Sequence, residues 1–469
     1  MKLFRLNSAL TFTVILFIML FPKISFAQNS SNGKDKLALS VADKLVRTAL
    51  TGRKGYKILG ELCKMGPRLS GSKNSLKAIH WAKKEMEKLG FDKVWLQPVM
   101  VPHWERGNLE EVKIVHSKIF GNGKLVIADL GESIATPSSG ITAGILQVKN
   151  FKELDSLKEK AKGKIVFFSR PLDAGLLNTF AGYGGAVDQR LFGPANAAKY
   201  GAVAVLIRSA TTKFDNVPHT GITIYNDIIP KIPAAALGYK DADFLVEALK
   251  KDPSLKINLK MNCRTLPDAQ SYNVIGELTG TEKPDEIIAI GGHLDSWDKG
   301  VGANDDGTGI IQSLEVLDLF KRLGIKPKHT IRCIFYINEE NGTRGGTAYE
   351  QYADTAKEVQ LAAIESDRGS GTPRGFDFTA DSSIIQKAQS WLPVLEKADI
   401  DWIRSGGSGE DVGQIKNAKA LIGYVPDDQR YFDYHHSDND QYSIIHPREF
   451  ELGSAAIAIL VYLIDQNGL

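Results

Sequence analysis

Cysteine is scarce: Cys63, Cys263 and Cys333 are the only ones in 469 residues. Three thiols allow at most one intramolecular disulfide, which excludes a disulfide-stapled scaffold and leaves stability to the hydrophobic core. Cys333 sits inside the apolar run IRCIFYI and reads as a small buried hydrophobe. Neither sign of charge dominates. Against 58 basic residues stand 55 acidic ones, a formal net of +3, so nucleic acid and anionic membrane surfaces are not expected partners. A fixed-period internal repeat is also missing. What remains is an ordinary globular composition, 43% hydrophobic and 24% charged, at a length that suggests two to three domains.

The N-terminus carries a processing signal. Lys2 and Arg5 precede an apolar run from Ala9 to Phe21, and Ser25-Phe26-Ala27 offers small residues at the cleavage positions. That is the layout of a secretory signal peptide over 1–27, and the run falls short of the ~20 apolar residues that span a bilayer. No cysteine follows Ala27, so lipid-anchored cleavage is not expected. The mature chain is expected to begin at Gln28, in a secreted or periplasmic compartment with no membrane contact after processing.

Texture divides the rest. QNSSNGKDK reads as a flexible linker, and from Leu37 to about Leu89 apolar residues recur at helical spacing, interrupted by the loop GPRLSGS. FDKVWLQPV reads as a strand. Residues 28–111 thus begin a first domain. Over 112–262 short β-rich runs such as GKIVFFSRP and AVAVLIRSA alternate with glycine-rich turns and one clear helix, PANAAKYG. This is expected to be a mostly β inserted domain. AGYGGAVDQR lacks the Lys-Ser/Thr ending of a phosphate loop and reads as a plain loop. Over 263–469 the first domain resumes as α/β. EIIAIGG, HTIRCIFYI, VQLAAIESD and AKALIGYV resemble parallel strands covered on both faces, separated by helices such as GIIQSLEVLDLFKRL and SIIQKAQSWLPVLEKAD.

Chemistry gathers where those strands stop. IIAIGG runs into His293 and Asp295, CIFYIN into Glu339 and Glu340, AAIES into Asp367. Open α/β sheets bind ligands beyond the carboxyl ends of their strands. The loops GANDDGTG and YHHSDND add Asp305, Asp306, His435 and His436. Taken singly each piece is weak, since Asp305 and Asp306 could simply cap the helix near Gly309. Together, carboxylates and imidazoles without thiolates suit two borderline metal ions sharing a bridging carboxylate.

GGHLDSWD, GANDDGTG, NEENGTRGG, IESDRG and YHHSDND, in that order, resemble the co-catalytic zinc aminopeptidase family, and within it the plasma glutamate carboxypeptidase branch. The resemblance covers essentially the whole mature chain and implies a zinc-exopeptidase-like mixed α/β sheet flanked by helices, with the insertion resembling a protease-associated domain. It implies two zinc ions per chain. Asp305 would bridge them, His293 and Asp367 would complete one site, and Glu340 with His436 the other. Glu339 would be the general base, and Asp295 would hold the free ring nitrogen of His293. The Asp305–Asp306 peptide would be cis. His435 stands where a related branch carries an oxyanion-stabilising tyrosine. Such metals bring the pKa of a shared water towards ~7, and the base would take its proton. The implied substrate is a dipeptide or short peptide with unblocked termini, and a homodimer is expected from the same resemblance.

An exopeptidase must also neutralise a chain terminus. Glu410 or Asp411 in SGGSGEDVG could hold an α-ammonium, and Arg368 or Arg404 an α-carboxylate. Asn341 forms a glycosylation sequon that reads as fortuitous beside Glu340, whereas Asn29 lies in the linker. Three other readings compete. A glutaminyl cyclase-like acyltransferase would carry a single zinc. A receptor-like binding protein would have lost ligands that are all present here. A binding module built on the insertion leaves the strand-end residues unexplained.

Overall fold

The computed structural model describes residues 33–117 and 119–469; the expected signal peptide, 1–27, lies outside them. Its strands form two eight-stranded sheets. The first runs, in spatial order, Lys93–Glu105, Arg264–Leu278, His329–Tyr336, Lys283–His293, Val359–Glu365, Ala420–Pro426, Pro373–Ala380, Trp402–Ser405. Its middle, from His329–Tyr336 through Ala420–Pro426, is parallel. These are the near-continuous apolar runs read in the sequence. Alternation divides them between two cores: Ile288, Ile290, Ile331 and Cys333 face one, Ile287, Ala289 and Ile334 the other. The helices Thr308–Arg322 and Pro447–Asn467 cover the first face, and Arg344–Ala356 packs Tyr349 and Ala353 on the second. Two helical expectations need correction. The stretch read as a linker is helical from Gly33, in a helix to Gly52 that buries Ala42, Leu45 and Ala49 beside the C-terminal helix. SIIQKAQSWLPVLEKAD is broken after Gln389, where Pro393 starts a new turn.

The second sheet runs Lys124–Leu125, Glu110–His116, Lys256–Met261, Ile141–Val148, Ile165–Phe168, Ala204–Arg208, Ala234–Leu237, Ile127–Asp129. The expectation of a mostly β region with one clear helix fails here. Ile141–Val148 through Ala234–Leu237 pair in parallel, and a 13-residue helix, Tyr239–Lys251, buries Ala242, Leu245 and Ala248 against the sheet. The sequence hides this because the strands are only four or five residues long and fully buried, and AAAL carries no β-branched signal. The chain leaves the first sheet after Glu105 and returns at Arg264, and those two residues are register partners. Among the described residues, no helix is long and apolar enough to cross a membrane.

Candidate metal centre

His293 is the last residue of its strand, Glu339 and Glu340 follow the end of His329–Tyr336, and Asp367 follows Val359–Glu365. Asp305 lies in the turn entering the helix Thr308–Arg322, and His436 in the loop before the C-terminal helix. All meet beyond the carboxyl ends of the parallel strands. His293 Nε2 lies 3.3 Å from Asp305 Oδ1, 3.6 Å from Asp367 Oδ1 and 3.8 Å from Glu339 Oε2. His436 Nε2 lies 2.9 Å from Glu340 Oε2 and 3.4 Å from Asp305 Oδ2. Asp305 therefore stands between two imidazoles with one oxygen turned to each.

Crowding of like charge in a buried place has electrostatic consequences. Burial, reinforced by neighbouring carboxylates, pushes Glu339 and Glu340 well above the usual carboxylate range. Burial also raises Asp367. Burial opposes protonation of His293, yet Asp367, Asp305 and Glu339 hold its pKa well above the histidine range. Asp305 is held below its usual range despite burial, because His293, His436 and the Tyr431 hydroxyl favour its ionised form. Burial brings His436 down to about 3. Asp305 Oδ2 and Asp367 Oδ1 are buried without a hydrogen-bond partner. Ligand-competent atoms of His293, Asp305 and Glu340 lie within 4.8 Å of one another, as do those of Asp305, His435 and His436, and those of His293, Asp306 and Asp367. An oxygen- and nitrogen-donor set with orphaned, buried carboxylate oxygens fits zinc-like divalent cations.

Neighbouring groups fix these side chains, in ways that only partly match the sequence reading. The contact expected from the Asp295 side chain to His293 comes instead from its main-chain carbonyl, 3.0 Å from Nδ1, while its carboxylate Oδ1 is 3.9 Å away. The Asp295 carboxylate accepts the N–H groups of Asn338 at 2.7 Å and Glu339 at 3.2 Å, and the Ser70 hydroxyl at 3.0 Å. It holds the turn that carries Glu339. Asp306 takes the capping role considered for both aspartates, accepting from Gly309 N at 3.0 Å and His293 N at 3.2 Å. The peptide between Asp305 and Asp306 is cis, as the family resemblance implies. Asp440 accepts from Asn304 N and Asp305 N at 2.7 and 3.1 Å. Buried Arg68, from the GPRLSGS loop, clamps the carbonyls of Leu294, Val301 and Gly302.

The candidates for substrate contact are dispersed. His435 stacks on His436 with centroids 3.5 Å apart, its Nε2 3.8 Å from Asp305 Oδ2. Arg368 Nη1 lies 3.6 Å from Asp377 Oδ2, whose other oxygen accepts from Arg404 Nε at 2.7 Å. Two guanidiniums thus share one buried carboxylate. Arg368 also lines a cavity of about 330 Å³ with Asn304, Ser370, Tyr431 and His446. Glu410 lies at the surface and lends its N–H to Glu365. Asp411 is fully buried, and burial pushes it well above the carboxylate range; it offers a substrate no surface. Asn341 is equally committed inside, donating to Glu132 at 3.1 Å and accepting from Asn338, consistent with a fortuitous sequon.

No sequence pattern announces several further neighbours. AGYGGAVDQR, read as a plain loop, contains parts of two short helices, Thr179–Gly184 and Asp188–Leu191. From there Arg190 Nη1 reaches within 3.4 Å of His436 Nδ1. Tyr183 stacks on Phe432 at 4.5 Å. Tyr431 meets Asp305 from the loop of the histidine pair; the aromatic run YFDY is the only hint of it.

The family model described as peptidase family M28 matches residues 273–461, which include every strand-end acid and both histidines of this centre. Human carboxypeptidase Q is 36% identical over 429 residues, 90% of this chain and 88% of that protein. The chain belongs to peptidase family M28. A peptidase M28 precursor from Shewanella amazonensis is similar across both sheets, with a TM-score of 0.87 at 33% identity, covering 92% of this chain and 97% of that one. A zinc aminopeptidase from Bacillus subtilis shares the fold, with a TM-score of 0.62 at 21% identity over 87% and 94% of the two chains. Membership of M28 makes this chain a peptidase.

Proposed function

We propose that this M28 peptidase is an exported exopeptidase that cleaves dipeptides or short peptides with unblocked termini, using two zinc ions. The observation that carries this is Asp305 between His293 and His436, one oxygen facing each. Asp305 with His293 and Asp367 would hold one ion, and Asp305 with Glu340 and His436 the other. Zinc held there would supply Lewis acidity, making water acidic enough to attack and polarising the scissile carbonyl. Glu339 receives the proton of the attacking water and returns it to the leaving amine. Asp295 keeps Glu339 in place through the backbone of its turn, and the Asp295 carbonyl keeps His293 in the tautomer whose Nε2 is free to ligate. Arg368, whose Asp377 partner is shared with Arg404, holds the substrate's α-carboxylate.

Residues 112–262 are read as a protease-associated-like domain inserted into the catalytic one, and the secreted or periplasmic destination follows from the signal segment. A homodimer accords with the family resemblance. Elemental analysis together with a panel of dipeptides and aminoacyl-arylamides tests the central reading. Two zinc ions per chain and turnover of unblocked dipeptides are expected. One zinc and cyclisation of N-terminal glutamine would point instead to a glutaminyl cyclase-like acyltransferase.

A further inference from the structure

The glycine-rich segment 178–187, NTFAGYGGAV, has no part in the chemistry above, yet it ends against the loop that carries His435 and His436. Asn178 caps its helix by accepting from Ala181 N. Thr179 donates to the Asp428 carbonyl at 3.3 Å, and Gln429 donates to the Leu177 carbonyl at 2.9 Å, pinning the segment in place. The ring of Phe180 lies stacked 5.2 Å from Tyr431, edge-on to Phe432 at 4.9 Å, and beneath the Arg368 guanidinium at 5.0 Å. Arg368 has only a long contact with Asp377, 3.6 Å to Oδ2, whereas Arg404 lies 2.7 Å from Oδ1.

A guanidinium on an aromatic face is held by the ring quadrupole and keeps its in-plane N–H donors available, whereas a close carboxylate would occupy them. We propose that Phe180 is a positioning residue that presents Arg368 to the cavity it lines with Tyr431, making the peptidase selective for peptides with a free C-terminal carboxylate. This rests on the assignment of Arg368 to the α-carboxylate. It gives the region of the second sheet a share in substrate choice, delivered through one aromatic ring.

The test compares a dipeptide with its C-terminal amide, using the zinc-loaded mature enzyme. KM is measured for both, and Kd by calorimetry for a reduced-bond dipeptide and its amide. R368Q should erase the preference for the free acid. F180L, which keeps apolar volume but no ring, should raise KM and Kd for the free acid roughly five- to thirtyfold. It should leave kcat and both amide values near those of the unmodified enzyme. F180Y, which keeps the ring, should restore the preference. If R368Q keeps the full preference, the Arg368 assignment fails and the inference with it. If R368Q erases the preference but F180L keeps it, or weakens acid and amide alike, Phe180 is a packing residue and only the inference falls.

Discussion

At the carboxyl ends of the first sheet, Asp305, Glu339, Glu340 and Asp367 crowd around two imidazoles, and buried oxygens go without a hydrogen bond. The second sheet buries charge under different terms. Arg106, 7% exposed, is matched by Asp298 and Glu110, and Arg208 by Asp243. Asp129, buried with both oxygens unbonded, is pushed by burial to about 8 and can remain protonated at neutral pH. A charged group in a low-dielectric place needs a partner or a proton. Asp129 stands alone and one proton satisfies it, whereas several carboxylates crowded with two imidazoles can be satisfied together by a shared cation, and that separates the site from a buried structural network.

The contrast breaks hardest at Glu339 and Glu340. Glu339→Gln keeps the shape but cannot accept a proton; turnover should fall roughly 10²–10⁴-fold with both metals retained. Glu340→Gln should instead empty or weaken one metal site, since affinity depends on ionised ligands. Zinc content and steady-state kinetics on the pair distinguish base from ligand, and loss of metal from Glu339→Gln would reverse the assignment. In the network beside the second sheet, Arg106→Met leaves Asp298 without its ion-pair partner, while Glu110 keeps Lys299 at 2.7 Å. Denaturant unfolding should record a loss of about 3–5 kcal/mol, with zinc content unchanged. Asp440→Ala removes the acceptor of the Asn304 and Asp305 N–H groups, and competitive chelation should show zinc affinity falling roughly 10–100-fold.

The smallest effect is a slope. Glu339, Glu340, Asp367 and Asp129 have folded-state pKa values above their unfolded ones, so the folded state binds more protons and stability falls as pH rises. His436, depressed to about 3, acts oppositely, but only below about 6.5. Metal-free protein should therefore lose melting temperature as pH rises from about 6.5 to 8. Zinc-loaded protein should keep a shallower slope from groups outside the site, which Asp129→Asn flattens further. Equal slopes with and without zinc in scanning calorimetry would show that the cluster does not bury unpaired carboxylates.

Much of the first sheet was legible because its parallel strands are buried on both faces and therefore written as continuous apolar runs. His293, Glu339, Glu340 and Asp367 stand out as polar residues at the abrupt ends of such runs. Asp305 and Asp306 could not be separated by spacing, because two adjacent carboxylates offer the same cap and the same ligand until the turn decides. Asp295 was assigned to the right neighbour through the wrong group, since a sequence does not distinguish a residue's carbonyl from its carboxylate. Phe180 meets Tyr431, and Arg190 meets His436, across chain separations that leave no local periodicity, and the second sheet's short strands gave too few residues for a pattern.

The paired positions of Glu105 and Arg264 have a consequence in time. They face one another in the ladder between Lys93–Glu105 and Arg264–Leu278, bridged at 2.8 Å across 159 residues of chain. A ribosome adding roughly 5–20 residues per second finishes the first of these strands on the order of ten seconds before it begins the second. Closing a loop of that size adds only a modest entropic cost, so the delay is one of synthesis. For that interval Lys93–Glu105 is an edge awaiting its neighbour, open to any other strand it meets. Early folding of the second sheet shortens the search by bringing the two tethers together, so the nascent chain is most exposed to mispairing while residues 106–263 are still being made.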